Sequence, residues 1–228
     1  MDNLSTFLLI GQSNMAGRGE IDTVKPIEDK RILMYRNSGW LPAREPLHQD
    51  RSEAGIGLAM SFAHMLLKNN MAERIGLIPC AVGATSIAEW LPGTGLYERA
   101  VSTALQAAKT LQGVLWHQGE YDSISSDQTA VYGYHLKKLI LELRIEFKQP
   151  KLPFISGELG EFINADRGFP FARDISGILK SLANEIPRYA CVSAMGLQDK
   201  GDGLHFGAPS LRELGRRYAA AYILLETK

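Results

Sequence analysis

Three side chains in this sequence have the types and the spacing that nucleophilic catalysis by a serine requires. Ser13 follows the apolar run Thr6–Ile10 and Gly11, where a tight turn would expose its hydroxyl. A serine hydroxyl is a weak nucleophile and needs a base within hydrogen-bond reach. Asp202 stands three residues before His205, so its carboxylate can hold one tautomer of the imidazole and leave the other nitrogen free for the serine proton. A helix cap and a surface pair are the ordinary alternatives, but the combination predicts a catalytic triad.

Two further positions could supply the hydrogen-bond donors that a tetrahedral intermediate needs. Gly83 follows the apolar segment Arg74–Val82 and has no side chain, so a ligand can approach its backbone N–H closely. Gln118 follows the segment Gly113–His117 and carries a side-chain amide. With the backbone N–H of Ser13, these two residues form the expected oxyanion hole. A simple turn glycine and a structural amide are the alternatives.

The elements that would position these residues alternate between short apolar strands and longer amphipathic helices, which indicates crossover units and a parallel sheet. The predicted strands are Thr6–Ile10, Arg74–Val82, Gly113–His117, Pro153–Ser156 and Tyr189–Ala194, with Arg31–Tyr35 as a minor strand. The predicted helices are Ile56–Lys68, Leu96–Leu111, Asp127–Lys148, Phe171–Glu185 and Ala208–Leu225. Ligands bind beyond the carboxyl ends of parallel strands. We therefore expect the polar segments 11–14, 82–86, 117–120 and 202–205 to converge at one edge.

Two long irregular stretches, Asn37–Ala54 and Gly157–Pro170, interrupt this alternation. Long loops in a compact domain are usually functional or disordered. A functional role is favoured because both follow strands and the first contains Trp40, His48 and Arg51. Mobile surface loops are the alternative.

The composition is that of one globular domain, taken as residues 1–228. Its 45% hydrophobic content is enough for a sizeable core. The 25 basic and 25 acidic residues cancel, so we expect neither a nucleic-acid nor an acidic-membrane partner. Cys80 and Cys191 lie far apart in hydrophobic segments, which indicates buried thiols in a reducing compartment.

Targeting and metal-binding signals are absent from the sequence as given. The first ten residues lack a basic start, their apolar run ends at Ile10, and no apolar run reaches membrane-spanning length. These features favour a cytoplasmic location. No His-Glu-x-x-His or Cys-x-x-Cys pattern and no glycine-rich phosphate loop occurs, so we expect neither a metal nor a cofactor.

Four segments in combination resemble the SGNH hydrolase superfamily, and most closely its branch of sialate O-acetylesterase-like and acetylxylan esterase-like carbohydrate esterases. They are Gly-Gln-Ser-Asn-Met-Ala-Gly at 11–17, Ala-Val-Gly-Ala-Thr-Ser at 81–86, Trp-His-Gln-Gly-Glu-Tyr-Asp at 116–122 and Asp-Gly-Leu-His-Phe at 202–206. The resemblance covers nearly the whole chain. It implies an α/β fold, a three-layer α/β/α sandwich with a flavodoxin-like, five-stranded parallel sheet.

Residue by residue, the resemblance implies Ser13 as nucleophile, Asp202 and His205 as the rest of the triad, and Gly83 and Gln118 as oxyanion donors. The chain has Gly-Gln-Ser where most SGNH enzymes have Gly-Asp-Ser, and His-Gln-Gly-Glu where most have an asparagine. Both departures occur in the carbohydrate esterase branch, so they narrow the resemblance to that branch of the superfamily. Ala84 stands where a second glycine is often found.

Four more residues are candidate substrate contacts: Gln12, Asn14, Glu120 and Trp40. The first three lie in the motifs above, and Trp40 lies in a long loop that also resembles the branch. Glu120 has alternatives, since it could orient Gln118 or interact favourably with the start of a helix.

The sequence therefore predicts a metal-free serine esterase that removes short acyl groups, acetyl above all, through an acyl-enzyme. The expected substrate is a small-molecule or oligosaccharide ester, and both the acetyl group and the sugar are implied by the resemblance. One alternative is an esterase or thioesterase for lipid-like chains, which would need an apolar acyl channel. Another is a sugar-binding module with a lost active site, whose signature would be a missing Ser, His or Asp. All three residues are present.

Overall fold

Seven strands form a single sheet in the computed structural model, which describes residues 3–227. The strands are β1 (Leu4–Gly11), β2 (Ile32–Arg36), β3 (Gly39–Pro42), β4 (Arg74–Pro79), β5 (Gly113–His117), β6 (Phe154–Gly157) and β7 (Tyr189–Val192). Their order is β3-β2-β4-β1-β5-β6-β7, and every neighbouring pair is parallel except β2 and β3. The α/β class is therefore confirmed.

The five strands β4, β1, β5, β6 and β7 have the flavodoxin-like order expected from the resemblance. The sheet itself is larger than the predicted five strands, because β2 and β3 extend it beyond β4. These two strands form an antiparallel hairpin, closed by Asn37 and Ser38 with positive φ angles of 51° and 57°. The sequence pattern predicts β3 only as part of a long loop.

Helices cover both faces of the sheet. They are α1 (Ser13–Ala16), α2 (Ala59–Lys68), α3 (Gly95–Ala107), α4 (Ser126–Glu146), α5 (Ala172–Ser181) and α6 (Ala208–Glu226), with short 3₁₀ turns between them. On β1, Phe7 and Leu9 belong to the core beneath α2 and α6, whereas Leu8 and Ile10 belong to the core beneath α3, α4 and α5. Side chains on a strand alternate between faces. The unbroken apolar run in β1 thus serves two cores and fixes the strand at the centre of the fold.

Both cysteines are free thiols. Cys80 is buried and Cys191 is half-buried. Burial raises the pKa of Cys80 to about 11 and that of Cys191 to about 12, so both stay protonated near neutral pH. Among residues 3–227, no helix is long and apolar enough to cross a bilayer. Over the same residues, no cluster of three or more His, Cys, Asp or Glu side chains is arranged to hold a metal ion.

Candidate active site

The candidate site lies at the carboxyl end of β1, where the strand order reverses. β4 lies on one side of β1 and β5 on the other. The chain therefore runs from β1 toward one edge of the sheet, and after β4 it crosses back past β1 toward the other edge. Such a switch point opens a crevice at the sheet edge, which is where open α/β sheets bind ligands. The expected convergence of polar segments therefore has a topological cause.

The turn after β1 places Ser13 in the lining of a pocket because Gly11 allows the strand to end abruptly. Gly11 has φ +128°, and a Cβ there would overlap the carbonyl oxygen of His117. The backbone N–H of Gln12 donates to the same oxygen at 2.9 Å, which ties the turn to β5. Helix α1 then begins at Ser13, so the serine lies at the first position of a helix.

Ser13, His205 and Asp202 form a continuous hydrogen-bonded chain. Ser13 Oγ lies 3.0 Å from His205 Nε2, and His205 Nδ1 lies 2.7 Å from Asp202 Oδ2. The other carboxylate oxygen of Asp202 accepts the backbone N–H groups of Leu204 and His205 at 2.9 and 2.8 Å. Residues 192 positions apart in the sequence are thus brought into the contact that nucleophilic catalysis requires.

The electrostatics of Asp202 favour its charged form. Burial by itself would raise the pKa of this carboxyl. The backbone and side-chain hydrogen bonds from His205, with the N–H of Leu204, outweigh burial and lower the pKa to about 2. A carboxylate ionised at neutral pH can only accept, so His205 Nδ1 carries the proton and Nε2 is the free acceptor facing Ser13.

Asn14 fixes the position of the histidine loop relative to α1. Its Oδ1 accepts the backbone N–H of Phe206 at 3.0 Å, and its Nδ2 donates to the carbonyl of Leu204 at 3.2 Å. Nδ2 also donates to Glu120 Oε1 at 2.6 Å. Asn14 is fully buried and does not line the open pocket. The structure therefore gives it a positioning role in place of the expected substrate contact.

A pocket of about 500 Å³ opens above the serine. Its floor contains Gln12, Ser13, Arg18, Gly83 and Glu120, and its rim contains Arg51, Glu53, Ala84, Tyr121, Ile124, Phe169, Lys200, Asp202, Leu204 and His205. Gln12 and Glu120, two of the residues expected to contact the substrate, line this pocket. The pocket combines charged groups with apolar side chains, a lining that fits a ligand with both polar and apolar parts.

Gln118 is placed differently from the expectation. Its amide nitrogen donates to the carbonyl of Thr85 at 2.9 Å and to Asp122 Oδ2 at 2.5 Å, and the side chain is fully buried outside the pocket lining. A primary amide has two N–H donors, and both are engaged. In this arrangement Gln118 joins the β4 and β5 loops, and its role as an oxyanion donor stays a prediction.

Gly83 lies beside Ser13 as expected, but its N–H is not free. It donates to Asp50 Oδ2 at 2.8 Å, and the same oxygen accepts Arg18 Nη2 at 2.6 Å. The side chains of Arg18 and Asp50 are only 3% and 2% exposed. Burial tends to raise the pKa of Asp50, but the bonds from Arg18 and Gly83 lower it below its ordinary value. In the structure, therefore, Asp50 accepts the N–H of Gly83 that is expected to serve as the second oxyanion donor.

Trp40 does not reach the pocket. It lies half-buried in β3, where its Nε1 donates to the carbonyl of Ala107 at 3.3 Å. Its ring covers Gly76 in β4, where a Cβ would stand 2.5 Å from the ring. The expected substrate contact is replaced by a packing role at the sheet edge.

The residues of the site that were not predicted from the sequence include Arg18, Tyr121, Ile124 and Phe169, which line the pocket, and Asp50, which binds Arg18 and Gly83. Asp50 does lie in the first long loop for which a function is expected, and Phe169 lies in the second. Arg18 directly follows the segment Gly-Gln-Ser-Asn-Met-Ala-Gly at 11–17, so its position was available as a signal. Its partner Asp50 could not be predicted, because pairing across 32 residues depends on the path of the loop.

Glu120 is a buried carboxyl at the back of the site. Burial raises its pKa to about 7, against the opposing effect of the hydrogen bond from Asn14. His117, 3.9 Å away, remains neutral because burial lowers its pKa to about 3. The uncharged form of the Glu120 carboxyl is therefore favoured more than in an ordinary glutamate, beside the turn that carries Ser13.

We expect Glu120→Gln to change how stability depends on pH. The pKa of Glu120 is raised on folding, so its protonated form stabilises the protein below the ordinary pKa of 4.5, and this contribution is lost as pH rises through about 7. Glutamine keeps the acceptor for Asn14 without ionising. As pH rises from about 5 to about 8, the unfolding free energy of the variant minus that of the wild type should increase by at most about 3 kcal/mol. Urea denaturation across this range measures it. Parallel curves for the two proteins would contradict the buried-acid assignment.

Comparison with known proteins agrees with this fold and these motifs. The chain falls in the class of carbohydrate esterases. It belongs to the family described as "carbohydrate esterase, sialic acid-specific acetylesterase", which it matches over residues 3–224.

A probable carbohydrate esterase from Arabidopsis thaliana is 34% identical over 95% of this chain and 89% of its own length. The solved structure of an Arabidopsis thaliana protein is 32% identical, with a TM-score of 0.87 over 97% of this chain and 98% of that one. NanS has a TM-score of 0.81 at 18% identity, over 99% of this chain and 98% of its own. Axe2, an acetylxylan esterase from Geobacillus stearothermophilus, has a TM-score of 0.56 at 13% identity, over 98% and 94%. The last two share the fold.

Proposed function

We propose that this carbohydrate esterase removes O-linked acetyl groups from a sugar by a serine acyl-enzyme mechanism. The observation that carries the proposal is the chain from Ser13 Oγ through His205 to Asp202, with contacts of 3.0 and 2.7 Å, at the floor of an open pocket. Membership of a carbohydrate esterase family supports the ester and the sugar.

In the first half of the reaction, Ser13 Oγ attacks the acyl carbonyl carbon. The Oγ–C bond forms while the hydroxyl proton moves to His205 Nε2, and the carbonyl electron pair moves onto the oxygen. When the intermediate collapses, the bond from carbon to the sugar oxygen breaks. The sugar oxygen takes the proton from Nε2 and leaves as an alcohol, and the acetyl group remains on Ser13.

In the second half, water repeats these steps on the acyl-enzyme. His205 Nε2 accepts a proton from water as the water oxygen bonds to the acyl carbon, and returns it to Ser13 Oγ as the ester bond to Ser13 breaks. Acetic acid is released and the enzyme is regenerated. Throughout, the ionised Asp202 keeps Nδ1–H pointed at itself and stabilises the positive charge on the imidazole.

The preference for acetyl is supported by the polarity of the floor of the pocket. Around Ser13 stand the buried polar side chains of Gln12, Arg18 and Glu120. A long alkyl chain directed among them would remove polar groups from water without replacing their hydrogen bonds, which is unfavourable. The apolar wall of Tyr121, Ile124 and Phe169 is the feature that favours the lipid-like alternative.

A series of p-nitrophenyl esters from acetyl to octanoyl separates the two functions. We expect kcat/KM to fall steeply beyond acetyl or propionyl, since each methylene that the pocket cannot accept costs roughly tenfold or more. Ser13→Ala supplies the background rate. A preference for octanoyl would establish the lipid-like function instead. Acetylated xylo-oligosaccharides and O-acetyl sialic acids, tested together, identify the sugar.

A further inference from the structure

The loop that carries His205 is anchored through the two residues on either side of the histidine. Asn14 Oδ1 accepts the backbone N–H of Phe206 at 3.0 Å, and Asn14 Nδ2 donates to the carbonyl of Leu204 at 3.2 Å. The amide of Asn14 therefore sets the position of the imidazole. Its nitrogen also donates to Glu120 Oε1 at 2.6 Å, the shortest of the three bonds. Within residues 3–227, Glu120 is the one hydrogen-bond partner of this amide that lies outside the histidine loop.

Glu120 is itself held in place by the sheet. β5 ends at His117, and Gly119 turns the chain with a φ of +139°. A Cβ on Gly119 would stand 2.6 Å from the side chain of Ile175, so a larger residue would disturb the turn. The carbonyl of Glu120 accepts Ser123 Oγ at 2.8 Å, and the residue is 1% exposed. The carboxyl is therefore a fixed point at the end of β5.

The tautomer of His117 indicates which kind of acceptor this position favours. Tyr218 OH donates its one hydrogen to the carbonyl of Trp116 at 2.7 Å, so His117 Nδ1 is the donor in its 3.0 Å bond to Tyr218 OH. Because burial keeps the imidazole neutral, Nε2 has no hydrogen, and it has no partner in the described part of the chain. This bare nitrogen lies 3.9 Å from Glu120 Oε1. Its lone pair disfavours a carboxylate anion, so an uncharged acceptor such as a glutamine amide should fit here.

We propose that Glu120 is a positioning residue of the triad. It holds the amide of Asn14, and the amide holds the loop that brings His205 Nε2 to Ser13 Oγ. No hydrogen bond joins Glu120 to a triad side chain within residues 3–227, so its effect passes through Asn14. Proton transfer depends on the distance between the two heavy atoms, and a misplacement of about 1 Å can cost about 10²-fold in rate. The assignment rests on the proposed acyl-enzyme function, and it replaces the expected contact of Glu120 with the substrate.

Glu120→Met removes the acceptor while keeping an unbranched side chain of similar length. Asn14 then loses its connection to β5, and we expect kcat for an acetyl ester to fall by about 10–10²-fold with little change in KM. Glu120→Gln keeps an acceptor oxygen for Asn14, so its kcat should stay within about threefold of the wild type. Equal losses of kcat in the two variants would overturn the proposal. A raised KM with unchanged kcat would also overturn it, because that result would mean a direct contact with the substrate.

A double-mutant cycle tests whether the effect of Glu120 passes through Asn14. Asn14→Ala removes the connection to the histidine loop, so adding Glu120→Met should reduce kcat no further. Losses that multiply in the double variant would mean that the two residues act independently, which overturns the proposal.

Glu158→Met is the matched control, because it removes another carboxyl at the end of a strand. Glu158 follows β6, the neighbour of β5, and accepts the backbone N–H of Ala194 at 3.3 Å. Its side chain is 15% exposed and does not line the pocket above Ser13. This variant should keep the kcat of the wild type. Equal losses in Glu158→Met and Glu120→Met would mean that kcat follows the stability of the sheet edge, and the positioning role would be overturned.

The rate at which a serine-directed organophosphate labels Ser13 provides a readout that needs no ester. Labelling requires His205 to accept the serine proton, so the rate should fall in Glu120→Met by the same factor as kcat and recover in Glu120→Gln. An unchanged rate in Glu120→Met would overturn the proposal. A wild-type protein that is labelled at Ser13 but hydrolyses no acetyl ester would instead overturn the proposed function.

Discussion

Ser13→Ala is expected to reduce ester hydrolysis by about 10⁶-fold in kcat, the scale seen when a serine triad loses its nucleophile. The hydroxyl forms the only covalent bond to the substrate in the proposed mechanism, and no other oxygen hydrogen-bonds to His205 Nε2 within residues 3–227. Because the serine and the histidine act as a unit, His205→Ala should cost about as much, and the double variant should cost no more than either.

A serine at the same edge of the sheet serves as the control for this loss. Ser193 follows β7, and its Oγ donates to Glu158 Oε2 at 3.2 Å with no histidine in reach. Ser193→Ala should retain wild-type turnover. Labelling with a serine-directed organophosphate, followed by peptide mapping, should modify Ser13. A labelled residue elsewhere with loss of activity, or an active Ser13→Ala, would refute the assignment of the nucleophile.

Asp202→Asn is the second large effect, with an expected loss of up to about 10⁴-fold in kcat, by analogy with the serine protease triad. An asparagine oxygen can still accept the backbone N–H groups of Leu204 and His205, so the loop should hold its shape. The amide would, however, favour the tautomer with the proton on Nε2, which cannot accept from Ser13. Steady-state kinetics at saturating substrate measure the loss, and the melting temperature should change little.

Asp199→Asn is the matched control because it alters the same loop without touching the imidazole. Asp199 Oδ2 accepts the backbone N–H of Gly203 at 2.6 Å. Losing that charge should loosen the loop slightly and reduce kcat far less than Asp202→Asn does. If both variants lost the same activity, the role of Asp202 would be to shape the loop and not to orient His205.

The arrangement of the main strands could be predicted because buried parallel strands have a distinctive local pattern. β1 and β5 contain the apolar runs Phe7–Ile10 and Val114–Trp116, which are followed by polar, glycine-bearing segments. In the hairpin, β2 corresponds to the predicted minor strand Arg31–Tyr35, whereas β3 has no such pattern. β3 has four residues including a proline, and its turn is Asn-Ser, although the positive φ angles at both positions are those usually taken by Asn-Gly.

The contacts of the site also fall into two groups: those set by the local sequence and those set by the tertiary structure. The contact between Asp202 and His205 could be predicted because it lies within one turn of chain. The location of Gln118 could also be predicted, since it follows a strand, but its partners could not. Whether an amide points into a pocket or toward Thr85 and Asp122 depends on loops distant in sequence. The Arg18–Asp50 pair depends likewise on how the loop before α2 crosses the sheet edge.

The hydrogen bonds of Asn14 depend on residues that are synthesised near the end of the chain. Asn14 joins the first helix to the backbone of Leu204 and Phe206, and the segment after them packs as α6 against α2. Ser13 leaves the ribosome long before His205 and before α6, the helix that follows the histidine loop. A nascent chain can therefore build most of the sheet while it remains catalytically silent. Under the proposed mechanism, activity begins only after His205 and α6 have emerged, so a product truncated before them should be inactive.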